Sequence, residues 1–221
     1  MFIIYYFLWV LNFVFLRLLF KIKVTGKKNL PKTGGALIAI DHSDFSDPLF
    51  ICRLNIRRIY YFVNYHDYYP EKGSRYYHKF SPFFGFVLKW TDQIPLPQEK
   101  NASQKAVDRA VNIIKKGKLF VIFPEGTTKG GEKIIKAHRG VARIALKANV
   151  PIIPIGLINT YGIMPRGKNF FQKYPEVKIN IGKPLYYKKY YGKHNDRKIT
   201  KLIANDVMKH IKKLCDEAKN I

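Results

Sequence analysis

Two short stretches hold residue types that could move a proton between a substrate and the protein. The first, Asp41-His42-Ser43-Asp44-Phe45-Ser46-Asp47, follows directly on the apolar run Ala36–Ile40. A His and an Asp five positions apart share a helix face poorly. On a strand-to-helix turn, however, the Asp47 carboxylate can swing back to the His42 imidazole. It would accept the proton of one ring nitrogen and fix the tautomer, leaving the other nitrogen to take a proton from a hydroxyl. That is general-base chemistry without a protein nucleophile. The same stretch also reads as a plain turn in which Ser43, Asp44 and Ser46 cap the next helix.

The second stretch begins where the apolar run Lys118–Phe123 enters Pro124-Glu125-Gly126-Thr127-Thr128-Lys129-Gly130-Gly131. Proline and glycine make a rigid turn, Glu125 adds a carboxylate, and backbone amides are exposed near the glycines. Lys129, Lys133, Lys136, His138 and Arg139 follow before a helix that opens near Gly140. Amides, lysines and a helix start together can hold a phosphate. An ordinary Gly-rich loop carrying solvated lysines has the same composition.

Both stretches end apolar runs, as ligand sites in open α/β sheets do. Ala36–Ile40, Arg58–Val63, Lys118–Phe123, Ile152–Ile158 and Val177–Ile181 read as strands, and Phe20, Ile22 and Val24 alternate with lysines as on a strand with one wet face. Helical spacing marks Val107, Ala110, Val111 and Ile114, stopped by Gly117, and then Val141, Ile144, Ala145 and Ala148. Ile199, Leu202, Ile203, Val207, Ile211 and Leu214 line a last long helix. The aromatic-rich stretch 60–86 carries no clear period. This alternation predicts an α/β fold: a single domain with a central, mostly parallel or mixed sheet flanked by helices.

Taken together, the chemistry-bearing stretches resemble the glycerolipid acyltransferase family, best known for the lysophosphatidic acid acyltransferases. That family shows Asn-His-x4-Asp after a buried strand, then Phe-Pro-Glu-Gly-Thr-Arg-Ser, then a Lys-rich stretch ending in Gly, then Val-Pro-Ile-x-Pro. Here stand His42 and Asp47, then Phe123-Pro124-Glu125-Gly126-Thr127, then His138-Arg139-Gly140, then Val150-Pro151-Ile152-Ile153-Pro154, in family order. The likeness runs from about Val24 to Gly182. There are departures. Asp41 replaces the family Asn, Asp44 the common Ser, and Thr128-Lys129 the Arg-Ser pair. Gln98 stands where the family carries its phosphate-binding Arg, with Lys100, Lys129 or Arg139 as substitutes.

The resemblance implies that His42 removes the proton from the free hydroxyl of a lysophospholipid, whose oxygen then attacks the thioester of acyl-CoA or acyl-carrier protein. Asp47 orients His42 and stabilises the imidazolium, which protonates the leaving thiolate. Glu125 positions the acceptor's glycerol or braces the site, and Gly126, Thr127, Lys129 and Arg139 join it in binding substrate. The acceptor expected is 1-acylglycerol-3-phosphate, with glycerol-3-phosphate, another lysolipid, or a non-catalytic membrane-bound member as alternatives. No cofactor or metal is expected, because a thioester is already activated.

Composition agrees with a lipid-facing partner. The chain has 221 residues and a formal net charge of +25, with 47% hydrophobic residues, which excludes a disordered chain. So basic a protein meets an anionic partner. From Met1 to Phe20 only Asn12 and Arg17 are strongly polar, and Lys21, Lys23, Lys27, Lys28 and Lys32 follow. Residues 1–20 are therefore expected as a membrane-anchoring helix, spanning or lying in the interface, and 21–221 as the acyltransferase domain. Either placement holds the domain on the cytoplasmic face, against anionic lipid. A nucleic-acid-binding module would use the charge and the aromatics but leave the first helix and both motifs unexplained, so nucleic acid is not an expected partner. Cys52 and Cys215 suit a reducing compartment. Without a Gly-x-Ser-x-Gly elbow, a serine esterase is not expected.

Overall fold

The computed structural model describes residues 2–52, 54, 57–63, 81–96, 102–126, 137–165 and 171–220. Its sheet is built from β1 (Ile22–Thr25), β2 (Ala36–Ile40), β3 (Ile59–Val63), β4 (Ile94–Pro95), β5 (Leu119–Ile122), β6 (Ile152–Ile158) and β7 (Val177–Ile181). The order across the sheet is β1-β7-β6-β2-β5-β3-β4. All neighbours pair in parallel except β6 and β7, so the sheet is mixed, as expected.

β2 lies between β5 and β6, and all five of its residues are buried. Its alternate side chains serve two cores, which is why its sequence is a continuous apolar run rather than an alternation. Leu37 and Ala39 face the helices Ala102–Lys115, Gly140–Ala148 and Arg197–Lys219. Ala36, Ile38 and Ile40 face Leu16, Phe20, Phe50 and Ile51 on the opposite side. The last helix is capped by Asp196, whose side chain accepts from the amides of Lys198 and Ile199 at 2.8 and 3.0 Å. It crosses β6 so closely that a Cβ on Gly156 would lie 2.6 Å from the Cys215 nitrogen.

The N-terminal helix, α1 (Phe2–Leu19), is present, and it is fastened to the body along one side. The amide of Ile59 donates to the Tyr5 hydroxyl at 3.1 Å, Trp9 Nε1 to the Cys52 carbonyl at 2.7 Å, and Asn12 Nδ2 to the Leu49 carbonyl at 2.9 Å. Leu16 is wholly buried. The opposite side leaves Phe7, Leu11, Val14 and Leu18 exposed at helical spacing, Leu18 to 79%. Among the described residues no helix is long and apolar enough to cross a membrane, so the spanning form of the expected anchor is not supported. The polar hooks that tie α1 to β3 and to the short helix Asp47–Cys52 explain its placement against the domain. Lys21 and Lys23, expected to face anionic lipid, both pair with Glu176 at 2.8 and 3.2 Å.

The aromatic stretch 60–86 proves to hold most of β3 and the start of a helix, Ser81–Trp90; residues 64–80, with His66, Glu71 and His78, lie outside the described residues.

Candidate active site

Register brings the two motif-bearing strand ends side by side. Ala39 pairs with Ile122, so the chain leaves β2 at Asp41-His42 next to the point where it leaves β5 at Phe123. The His42 and Phe123 rings stack, with centroids 4.1 Å apart and planes 24° from parallel. On its other flank, His42 Nδ1 lies 2.8 Å from Asp47 Oδ2.

Asp47 opens the short helix Asp47–Cys52 and is fully buried. Its Oδ2 also accepts from the amides of Ser43 and Asp44, at 2.8 and 2.9 Å. One carboxylate oxygen therefore closes the turn and holds the imidazole. An acceptor with no proton of its own requires that His42 Nδ1 carry the hydrogen, which leaves Nε2 as the basic nitrogen. The His42 side chain is 17% exposed, enough for a substrate hydroxyl to approach.

Two further buried carboxylates shape this turn, and neither had been given a site role from the sequence. Asp44 Oδ1 accepts from the Ser46 amide and hydroxyl at 2.9 and 2.8 Å, and from the Met164 amide at 2.9 Å; Oδ2 accepts from the Gly162 amide at 3.0 Å. The local half of this is the helix-entry capping foreseen for Asp44. The distant half ties the loop after β6 to the catalytic candidate pair. Asp41 Oδ1 accepts from the Leu157 amide at 2.9 Å and faces Cys215 Sγ at 3.6 Å, joining the turn to β6 and the last helix.

The second motif forms a tight turn after β5. Gly126 donates its amide to the Phe123 carbonyl at 3.0 Å and has φ of +73°, the left-handed region that glycine adopts most readily. Glu125 is buried, 1% exposed. The His138 amide donates to the Pro124 carbonyl at 2.7 Å, bringing the chain back alongside the turn. Arg139, expected at the substrate, directs Nη1 to Thr200 Oγ1 of the last helix at 3.4 Å. Thr127 and Lys129, expected beside Gly126, lie outside the described residues, as do Gln98 and Lys100. The structure thus brings together His42, Asp47 and the Glu125–Gly126 turn, with Phe123 as the unforeseen link.

Cys52 is no rival nucleophile. Its thiol is enclosed although the residue as a whole is half-buried, and burial pushes its pKa up to about 12. It stays protonated at neutral pH, and the thiolate is the reactive form. Among the described residues no group of three or more His, Cys, Asp or Glu side chains is gathered as for a metal ion.

A parallel-centred α/β sheet with an imidazole–carboxylate pair at one strand end and a Pro-Glu-Gly turn at the next is the arrangement the motifs called for. The chain belongs to the acyltransferase family, whose model matches residues 21–158. It is 27% identical over 169 residues to the chloroplastic 1-acyl-sn-glycerol-3-phosphate acyltransferase BAT2 of Brassica napus, covering 76% of this chain and 46% of that protein. It is 29% identical over 165 residues to the 1-acyl-sn-glycerol-3-phosphate acyltransferase of Bacillus subtilis, covering 75% of this chain and 74% of that one. The chain thus spans under half the length of the Brassica relative. Its fold is similar to the crystal structure of the 1-acyl-sn-glycerophosphate acyltransferase PlsC from Thermotoga maritima, with a TM-score of 0.68 at 20% identity, over 94% of this chain and 75% of that one.

Proposed function

We propose that the protein is a membrane-associated O-acyltransferase that moves an acyl chain from a thioester to the free hydroxyl of 1-acylglycerol-3-phosphate, giving phosphatidic acid. The observation that carries this reading is the His42 ring, hydrogen-bonded to buried Asp47 on one flank and stacked on Phe123 of the Pro-Glu-Gly turn on the other. The printed names of the Brassica and Bacillus relatives support the choice of acceptor.

His42 Nε2 takes the proton of the acceptor hydroxyl as its oxygen forms a bond to the thioester carbonyl carbon. The electron pair of the C=O bond moves to oxygen, giving a tetrahedral intermediate whose negative charge amides of the turns stabilise. Collapse breaks the C–S bond, and the imidazolium returns its proton to the departing thiolate. Asp47 keeps the ring in one tautomer throughout and offsets its positive charge. The acyl donor, acyl-CoA or acyl-carrier protein, is a co-substrate, and the chemistry calls for no cofactor.

The exposed side of α1 suits the headgroup layer of the cytoplasmic leaflet, with Phe7, Leu11, Val14 and Leu18 in the apolar boundary and the remainder of the +25 charge favouring anionic lipid. The deciding experiment incubates the purified protein on lipid vesicles with labelled acyl-CoA or acyl-carrier protein and a panel of glycerol-3-phosphate and lysolipids. Label should appear in phosphatidic acid. Label in another product reassigns the acceptor, and label in none removes the enzymatic reading.

A further inference from the structure

Right-handed crossovers between parallel strands sort helices to one side of a sheet or the other by the direction in which the chain moves across it. The helix Asp47–Cys52 carries the chain from β2 outward to β3, and its Phe50 and Ile51 pack on the same side of the sheet as Leu16 and Phe20. The helix Ser81–Trp90 carries it further the same way, from β3 to β4, and so lies on that side too, in one layer with α1. The helix Ala102–Lys115 returns from β4 to β5 and accordingly packs on the other side. Within the first layer, one side chain ties Ser81–Trp90 to α1. The Arg58 guanidinium lies over the Tyr5 ring of α1, 5.3 Å from its centroid, and Nη2 donates to the Thr91 carbonyl at 2.6 Å, one residue past Trp90.

The two layers expose different surfaces. On the helix Ser81–Trp90, Phe86 and Trp90 are 52% and 38% exposed, their ring centroids lie 4.9 Å apart, and Lys89 is exposed on the same side. In the same layer α1 exposes Phe7, Leu11, Val14 and Leu18. The three helices of the opposite layer expose, among the described residues, a single large apolar side chain, Leu202. An aromatic pair beside a lysine, tied to an apolar helix, matches the boundary between acyl chains and headgroups. The rings take the apolar side, while the indole N–H and the ammonium reach the polar one. The excess positive charge of the chain favours that surface when the lipid is anionic.

Resting on the membrane placement proposed above and extending it, we propose that the helix Ser81–Trp90 is a second contact with an anionic bilayer, Phe86 and Trp90 entering the acyl boundary beside α1. One helix lying in the interface leaves a domain free to roll about that helix's axis. A second, offset contact stops the roll and so fixes the height above the lipid of the strand ends that carry His42 and Phe123.

The test uses the full chain and vesicles of phosphatidylcholine with phosphatidylglycerol. It needs no thioester and no turnover, so acyl transfer is judged separately. Trp9 and Trp90 are the two tryptophans, and Trp9→Phe leaves Trp90 as the reporter. Its emission should shift to shorter wavelength on vesicles and be quenched by lipids brominated along the acyl chain. Phe86→Gln with Trp90→Gln should weaken co-sedimentation at least about tenfold, as removal of two apolar side chains from lipid implies. The same pair should leave thermal unfolding in buffer as in the parent protein. Unquenched Trp90 on protein that binds the vesicles overturns the second contact and leaves α1 as the membrane helix, as does undiminished binding of the paired variant. Absence of binding by the parent protein overturns the membrane placement and this contact with it. A parent dimer that the paired variant breaks into monomers gives Phe86 and Trp90 to a second copy and overturns their assignment to lipid.

Discussion

The His42 ring lies face to face with the Phe123 ring, 4.1 Å between centroids, and this contact joins the two strand-end motifs into one site. Stacking fixes the imidazole plane, and the Asp47 bond fixes its rotation within that plane. Each constraint supports a separate expectation.

His42→Ala should lower turnover by roughly 10²–10⁴-fold, the usual range for loss of a general base, with thermal unfolding little changed. Steady-state rates on lipid vesicles check this. A variant that retained more than half the activity would remove His42 from catalysis.

Phe123→Leu keeps apolar bulk but loses the aromatic face. An aromatic pair contributes about 0.5–1.5 kcal/mol, so turnover should fall by a factor of roughly two to ten as the ring drifts from its productive plane. The Michaelis constant for the thioester should move less than turnover does; the opposite pattern would make Phe123 a substrate contact instead.

Asp44→Ala orphans the buried amide of Met164 and the half-buried amide of Gly162 as well as the Ser46 cap. Each unsatisfied buried group costs about 1–3 kcal/mol, so the denaturant midpoint should fall well below that of the parent protein. Asp44→Asn, which keeps one acceptor oxygen, should fall less. Urea unfolding followed by circular dichroism distinguishes the three proteins.

Burial raises the Cys52 thiol from an ordinary value near 9 to about 12. Between those pH values the unfolded chain loses this proton while the folded one keeps it, so stability contributed by the neutral thiol is complete below pH 9 and declines above it. Cys52→Ala should therefore flatten the alkaline fall in stability. Burial raises Tyr61 in the same direction, so some slope should persist.

Leu11→Gln with Leu18→Gln would interrupt the outward side of α1 without adding charge and without touching Tyr5, Trp9 or Asn12. Binding to anionic vesicles should weaken by more than tenfold, since burial of each leucine contributes about 1.5–3 kcal/mol. Co-sedimentation measures it, and unaltered binding would place the membrane contact elsewhere.

Much of this architecture could be read from the chain because local pattern and global role coincide. The apolar runs at 36–40 and 152–158 are strands buried on both faces, 177–181 alternates core Val177, Ile179 and Ile181 with Lys178 and Asn180, and the helical spacing at 107–114, 141–148 and 199–214 marks the helices that cover one face of the sheet. His42 and Asp47 were legible because their partnership spans a single turn. Asp44's hold on Gly162 and Met164 was not, because partners 118 and 120 residues away leave no periodic trace in sequence. The helix Ser81–Trp90 was hidden by aromatics around it, and β4, only two residues long, is too short to show a period.

The hooks from Tyr5, Trp9 and Asn12 make the N-terminal helix a lid over hydrophobic interior. Leu16 and, just beyond the helix, Phe20 plug the lower core beside Phe50, so pruning this segment would open a wound in the sheet's underside. Polar residues on the helix's outer side should therefore leave the fold intact, whereas polar residues on its inner side should unseat it.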